Sequence, residues 1–290
     1  MKITINTPYC FSQLGHRDNQ EDYLYPEIPS PEDNIFMVCD GVGGEEGGEK
    51  ASRLVCKIFS EQLYNNTDRA VEFTIENFED VLKHTIDVLR ESNLGGAATT
   101  MTFVCLNAKG IFAAHVGDSR IYQIRKGNGI VFQSNDHSLV AEYVNAGLIT
   151  EQEAKVHEQK NIITRALDGK CDEDDYVKAT VNYLTDIQSG DVILLCSDGV
   201  TDIVDDDDLI HILTMENPIS LRAKMLSDAC KESQDNNTAY IIEICKVEDN
   251  DVQQNDAVLD YDTYIPSDKE ENWWDKFESF ISQILNELFR

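Results

Sequence analysis

Two apolar runs, far apart in the chain, each end in Asp-Gly: Ile35-Phe-Met-Val-Cys-Asp40-Gly41 and Val192-Ile-Leu-Leu-Cys-Ser-Asp198-Gly199. Both runs are too short for a typical helix and rich in β-formers, which predicts buried strands. Each sets a carboxylate at the strand exit, with a glycine behind it that lets the backbone turn and come close to a ligand. Asp-Gly is also a common turn dipeptide, so a single copy would be only a strand-to-turn junction. Further acids accompany these two. Arg17 precedes Glu21 and Asp22, Gly117-Asp118 closes a third strand-like run, and Asp235-Asn236 precedes a fourth. Carboxylates on rigid strand ends suit a hard divalent cation, and an all-oxygen set selects Mg²⁺, Mn²⁺ or Ca²⁺ over zinc or copper. No HExxH, CxxC or His-rich spacing competes.

In this arrangement the chain resembles the metal-dependent protein serine/threonine phosphatases of type 2C, in their bacterial form. The resemblance runs in order through Arg17…Glu21-Asp22, Asp40-Gly41-x-Gly-Gly, Gly48-Glu49-x-Ala-Ser52, Gly96-Ala-Ala-Thr-Thr100 and Gly117-Asp-Ser-Arg120. It continues through Asp136-His137-Ser138, Ile163-Thr-Arg-Ala-Leu167, Ser197-Asp-Gly199 and Asp235-Asn236, and covers residues 1–247. Each motif alone is weak; their order and spacing together carry the resemblance.

The resemblance implies a role for each matching residue. Asp40 bridges two ions, with the Gly41 carbonyl and Glu21 on one of them and Asp198 and Asp235 on the other. Asp22 holds a water beside them, and Asp118 with Asp198 forms a weaker third site. The implied cofactors are Mn²⁺ or Mg²⁺, two tight ions and a weaker third. Arg17 matches the phosphate-binding arginine, a role its guanidinium fork suits at any working pH. The catalytic set is then Arg17, Asp40 and Asp198. Attack of a water activated by two metals needs no phosphoenzyme. Val42 stands where some members carry a histidine thought to protonate the leaving group. His16, next to Arg17, is a candidate replacement, although a lone loop histidine is more often a solvated bystander. Gln20 replaces an asparagine frequent in the family.

The elements that would position these residues are strands near 3–12, 35–39, 101–106, 111–116, 121–125, 192–197 and 239–246. Helices are expected near 47–64, 70–92, 139–146, 151–156, 206–214 and 219–233. The helix over 70–92 carries Val71, Ile75, Phe78, Val81, Leu82, Ile86 and Leu89 at helical spacing. The resemblance implies an α+β fold, a four-layer α-β-β-α sandwich of two mainly antiparallel sheets, with the metals at the converging sheet ends. Residues 137–165 match a flap beside the active site, where short helices commonly set substrate choice. Thr150 with Glu153 forms a capping box there. The run Asp205–Asp208 reads as either an additional metal site or, more simply, the acidic first turn of a helix.

The chain has 54 acidic and 24 basic residues, a formal charge of −30. That excess argues against nucleic acid and anionic membranes as partners. The eight cysteines show no disulfide framework, no segment is long and apolar enough to cross a bilayer, and the amino terminus lacks a signal-peptide core, so the cytoplasm is expected. The expected domains are a catalytic domain over 1–247, an acidic linker over 248–268 and an amphipathic helix within 269–290. Residues 251–290 hold ten acids and three bases, a net of −7. Their apolar stripe (Trp273, Phe277, Phe280, Ile284, Leu288) docks on its own domain, a protein partner or a membrane surface, the last disfavoured by charge. The expected activity is hydrolysis of phosphoserine and phosphothreonine in phosphorylated proteins, in opposition to a Ser/Thr kinase. The alternative is a phospho-partner-binding or metal-sensing module that keeps the fold without turnover.

Overall fold

Alternation along Ile35–Cys39 sets the architecture. Phe36 and Val38 face one layer, Ile35, Met37 and Cys39 face the opposite one, and all five are buried. A strand covered on both faces lies in the middle of a layered stack. The computed structural model describes residues 1–42, 47–64, 73–92, 94, 96–170 and 176–248.

In chain order the elements begin with β1 (Lys2–Ile5), β2 (Tyr9–Gln13), β3 (Tyr23–Tyr25), β4 (Ile35–Cys39) and β5 (Gly41–Val42), followed by α1 (Gly48–Tyr64) and α2 (Ile75–Glu91). Next come β6 (Ala98–Thr99), β7 (Met101–Asn107), β8 (Gly110–Val116), β9 (Arg120–Arg125) and β10 (Gly129–Gln133). Two short helices follow, α3 (Leu139–Asn145) and α4 (Glu151–Lys155), then β11 (Leu167–Asp168), β12 (Thr180–Leu184) and β13 (Val192–Cys196). The remainder is α5 (Asp198–Thr201), α6 (Asp206–Thr214), α7 (Ile219–Ala229) and β14 (Asn237–Glu248).

One antiparallel sheet has the order β12-β8-β7-β4-β3; the other has β1-β14-β13-β9-β10, with β2 also on β14. Their facing sides bury Phe36, Val38, Val104, Ile193, Leu195, Tyr240 and Ile242 between them. Outside the first sheet, α1 and α2 cover Met37, Phe103 and Phe112 with Phe59, Phe78 and Ile86. Outside the second, α6 and α7 cover Leu194 and Ile241 with Leu209, Leu213 and Leu226. These are the four layers expected. A small ribbon, β11-β6-β5, branches off beside the first sheet.

Several elements differ from the expected spans. The strand expected over 3–12 is two strands, β1 and β2, that both pair with β14, at 244–248 and 237–241. Pro8 lies in the break and has no N–H to give to a ladder. The second helix begins at Ile75, because Thr74 and Asn77 close a capping box; Val71 lies outside the described residues. The last helix stops at Ala229, short of 233. The Ser233 carbonyl is instead used by the His16 amide at 3.0 Å. Strands β3, β10 and β12 were not expected. They are short; β10 pairs in a hairpin with the preceding β9 and β3 with the nearby β4, whereas β12 pairs with the distant β8. The expected linker and carboxy-terminal helix lie outside the described residues.

The rings of Phe59, Phe73, Phe78, Phe103, Phe112 and Tyr183 pack with centroids 5.1–6.0 Å apart. Phe103→Ala should cost about 3–5 kcal/mol, since a ring at the centre of that cluster leaves a cavity that cannot collapse. Ile28→Ala, at a residue 89 % exposed, should leave stability unchanged; urea unfolding of the two variants checks the contrast.

Candidate active site

Asp40 leaves β4 with its backbone held on three sides. Its N–H donates to Thr100 Oγ1 at 3.0 Å, and its carbonyl accepts from the Thr100 N–H at 2.8 Å and the Thr99 hydroxyl at 2.9 Å. Thr100 Oγ1 also lies 2.7 Å from Ser119 Oγ, which joins the Asp40 segment to the loop that carries Asp118. Sequence reasoning recorded both motifs but gave these hydroxyls no role. They fix a carboxylate by fixing its backbone.

Glu21 and Asp22 are set from the other sheet's end. The Glu21 N–H donates to Asn236 Oδ1 at 2.8 Å, and its carbonyl accepts from the Gly41 N–H at 3.1 Å and the Ser52 hydroxyl at 2.6 Å. Asn236 Nδ2 also holds the carbonyls of Leu14 and Asn19 at 2.9 and 3.0 Å. This one amide therefore shapes the loop that presents Arg17. Asp22 is buried, and its Oδ2 accepts from the Ser197 hydroxyl at 2.8 Å. Asn236 and Ser197 are further site-building residues that the motifs contain and sequence reasoning left without a task.

The two strand-exit glycines serve close approach. A Cβ on Gly41 would lie 2.4 Å from the Gly48 carbonyl oxygen, and one on Gly199 would lie 2.0 Å from that of Asn236. In each case the missing side chain lets two backbones meet beneath the acids.

The result is a cleft of about 430 Å³ lined by Arg17, Asp18, Asn19, Glu21, Asp40, Gly41, Val42, Asp118, Asn161, Ile163, Asp198, Asp235 and Asn236. All the expected site residues except Asp22 line it, and Asp22 lies beneath its floor. Arg17 Nη2 donates to Asp235 Oδ2 at 2.6 Å. That pairing, with Asp198 and Asp40 nearby, raises the arginine's pKa further. His16 turns outward, with Nδ1 3.0 Å from Gln234 Nε2 and Nε2 3.5 Å from Glu232, and does not line the cleft. Val42 faces it. Asp205 caps α6 by accepting from the Asp208 N–H at 2.9 Å, so that acidic run is a helix start.

Residues 137–165 close on themselves at the neck. Ser138 bridges Ile163, the Leu139 N–H donates to the Ile162 carbonyl at 2.9 Å, and the Thr164 N–H donates to the His137 carbonyl at 2.8 Å. Asn161 and Ile163 thereby become one wall of the cleft. Lys160 ties this excursion to Asp202, just past α5, at 3.0 Å.

Electrostatics mark the floor. Burial first, then the charges of Asp22, Asp198, Asp118 and Asp235, push Asp40 well above the usual carboxylate range. Burial raises Asp22 to about 7, against the Ser197 hydrogen bond that favours its charge. Burial and Asp198 raise Asp118 to about 7; burial and Asp235 raise Asp198 to about 6. Glu21 is raised by burial too. Asp22 Oδ1 and Asp198 Oδ1 are buried without a hydrogen-bond partner. Among the described residues no three such side chains are already closed around one point. Mutually destabilised carboxylates with orphaned oxygens nevertheless fit a hard divalent cation, which would supply the missing partner and remove the repulsion.

A Protein phosphatase 2C family model matches residues 14–233. The serine/threonine phosphatase stp of Listeria monocytogenes is 31 % identical over 223 residues, covering 72 % of this chain and 84 % of that protein. Protein phosphatase PhpP of Streptococcus pneumoniae is 30 % identical over 224 residues, covering 72 % and 85 %. The crystal structure of the serine/threonine phosphatase Stp1 from Staphylococcus aureus superposes with a TM-score of 0.72 at 28 % identity, covering 84 % of this chain and 97 % of that one.

An acid whose pKa is higher folded than unfolded holds extra protons in the folded state, so its charge weakens the fold as pH rises through the folded value. For Asp118 the window runs from the unfolded value near 3.9 up to about 7. In EDTA, Asp118→Asn should therefore melt higher than the parent at pH 8 and by a much smaller margin at pH 5, near the bottom of that window. Thermal melts at the two pH values measure the difference.

Proposed function

Because the chain belongs to the protein phosphatase 2C family and is a protein serine/threonine phosphatase, we propose that it dephosphorylates proteins on the carboxylate floor of this cleft. The observation that carries the reading is the convergence of Asp40, Asp118, Asp198, Asp235 and Glu21 in one cleft with Arg17 at its edge. Dependence on Mn²⁺ or Mg²⁺ goes with the family. The finer reading is ours: Asp40, Glu21 and the Gly41 carbonyl would hold one ion, Asp40, Asp198 and Asp235 a second, and Asp118 with Asp198 a weaker third. When bound, such ions lower the pKa of water and offset charge on a phosphoryl group.

The chain's own groups do the rest. Arg17 has donors beyond the one given to Asp235, and these can grip two phosphoryl oxygens while the pairing holds the fork in place. Asp22, with Oδ2 held by Ser197 and Oδ1 without a partner, is placed to accept a proton at Oδ1. Val42 offers no acid, so the departing serine or threonine oxygen takes its proton from solvent or a bound water. Asn161 and Ile163 contact the peptide that carries the phosphate. The cysteines take no part. The seven among the described residues are free thiols, and burial pushes Cys105 up to about 12 and Cys39 well above its ordinary value.

Free thiols fit a reducing compartment, and no described helix is long and apolar enough to cross a membrane. We therefore place the enzyme in the cytoplasm, opposing a Ser/Thr kinase, and read the amphipathic stripe in 269–290 as a contact for a protein partner. Removing residues after Glu248 should leave kcat on p-nitrophenyl phosphate unchanged while altering which phosphoproteins are processed. A large fall in melting temperature would instead make the stripe part of the domain's own packing.

The primary test is release of phosphate from a phosphothreonine peptide with added Mn²⁺ and its loss in EDTA. Absence of turnover with Mn²⁺ bound would reduce the protein to a binding module. Asp198→Asn should lower kcat by about 10²-fold or more without unfolding the chain. Arg17→Ala should cut kcat/KM by roughly 10- to 100-fold, the worth of a charged hydrogen bond, mainly through KM. It should also raise the Mn²⁺ concentration needed for half-activity, because Asp235 loses its clamp.

A further inference from the structure

Thr164, Arg165 and Ala166 continue from the cleft wall into a second hollow of about 470 Å³, completed by Asp168, Lys170, Val177 and Lys178. Its described lining residues include three cations, Arg165, Lys170 and Lys178, and one carboxylate, Asp168, on a chain whose formal charge is −30. Arg165, Lys170 and Lys178 are exposed, and none of the three enters an ion pair with a described residue. Lys170 is seated. A Cβ on Gly96 would fall 2.7 Å from its Cε and 2.9 Å from its Nζ, so the glycine leaves room for this side chain. Arg165 Nη1 stands 3.4 Å from His137 Nε2.

The ribbon β11-β6-β5 fixes how far this hollow lies from the reaction. Gly41 pairs with Thr99, and Thr99 with Leu167. Neighbouring strands are about 4.8 Å apart, so the Leu167 backbone is roughly 10 Å from Gly41. An extended peptide spans that in about three residues. We infer that this hollow is a docking subsite for an anionic side chain of the substrate, a carboxylate or a second phosphate, two to four residues from the phosphoserine or phosphothreonine being hydrolysed. The inference rests on the phosphatase reading above. It makes the enzyme selective among phosphoproteins by the charge that flanks the target.

The test uses the full chain with Mn²⁺ and phosphothreonine peptides of three kinds: neutral flanks, one glutamate placed in turn at each position two to four residues to either side, and a second phosphothreonine at the same positions. One set of positions should raise kcat/KM about fivefold over the neutral peptide, with the gain falling as salt is added. Lys170→Glu combined with Lys178→Glu should remove that gain and leave the neutral peptide and p-nitrophenyl phosphate unchanged. A larger gain from the second phosphate than from glutamate would assign a dianion to the subsite. Equal kcat/KM for all three kinds in the parent overturns the inference. An equal loss on the neutral peptide in the double variant also overturns it. Failure of the parent on every peptide and on p-nitrophenyl phosphate would instead overturn the phosphatase reading.

Discussion

Like charge held at close quarters governs this molecule. Asp40, Asp118, Asp198, Asp235 and Glu21 line one cleft, with Asp22 beneath it, and a flexible chain would let such groups drift apart into water. They stay together because their backbones are fixed before their side chains are considered. Asp40 follows directly on the central strand β4, and Asp198 stands one residue beyond the central strand β13; the residues of both strands are buried. The repulsion is stored in raised carboxylate pKa values, and it is this stored cost that a divalent cation would relieve on binding. Affinity for metal and instability without it are thus two readings of the same arrangement.

Small polar groups carry the strain under the floor. Thr99 and Thr100 hold the Asp40 backbone, Ser119 holds Thr100, Ser197 holds Asp22, and Asn236 holds Glu21 together with the Arg17 loop. Each is satisfied within the protein, so the network can stand in a dry interior without the cost of an unpaired group. The polar atoms left without partners among the site residues, Asp22 Oδ1 and Asp198 Oδ1, belong to carboxylates of the centre. Satisfaction below and deprivation at the floor give the site its direction.

The excursion over 137–165 divides what lies beside this centre. Its neck, locked by Ser138 on Ile163 and by Thr164 on His137, sends Asn161 and Ile163 toward the carboxylates and Arg165 toward the basic hollow. One rigid neck therefore sets the wall against which a peptide lies and the spacing between two regions of opposite charge. The excursion's outer side exposes Leu148 and Val156 and holds to the main body near α5 through the exposed Lys160–Asp202 pair, a contact that water and salt weaken.

Strand-then-Asp-Gly at 35–41 and 192–199 was legible from residue type alone, because a run of β-formers buried on both faces has no polar alternation to hide it. The long stripe on the second helix, the capping box at Thr150 and the acidic start of α6 were legible for the same local reason: their signals lie within a few residues of the elements they define. The acids that belong to one centre also stood out, through the order of their motifs. Only the folded chain decided the rest. The split of residues 3–12 into β1 and β2 depends on a ladder partner more than two hundred residues away, and β12 depends on β8, well back in the chain. The pairing of Arg17 with Asp235 crosses 218 positions, and the clamp of Asn236 on Glu21 crosses 215. The hollow between Arg165, Lys170 and Lys178 exists because β11 returns to β6. Sequence carries what local propensity and burial dictate, whereas contacts made after long loops close are fixed only by the packing that closes them.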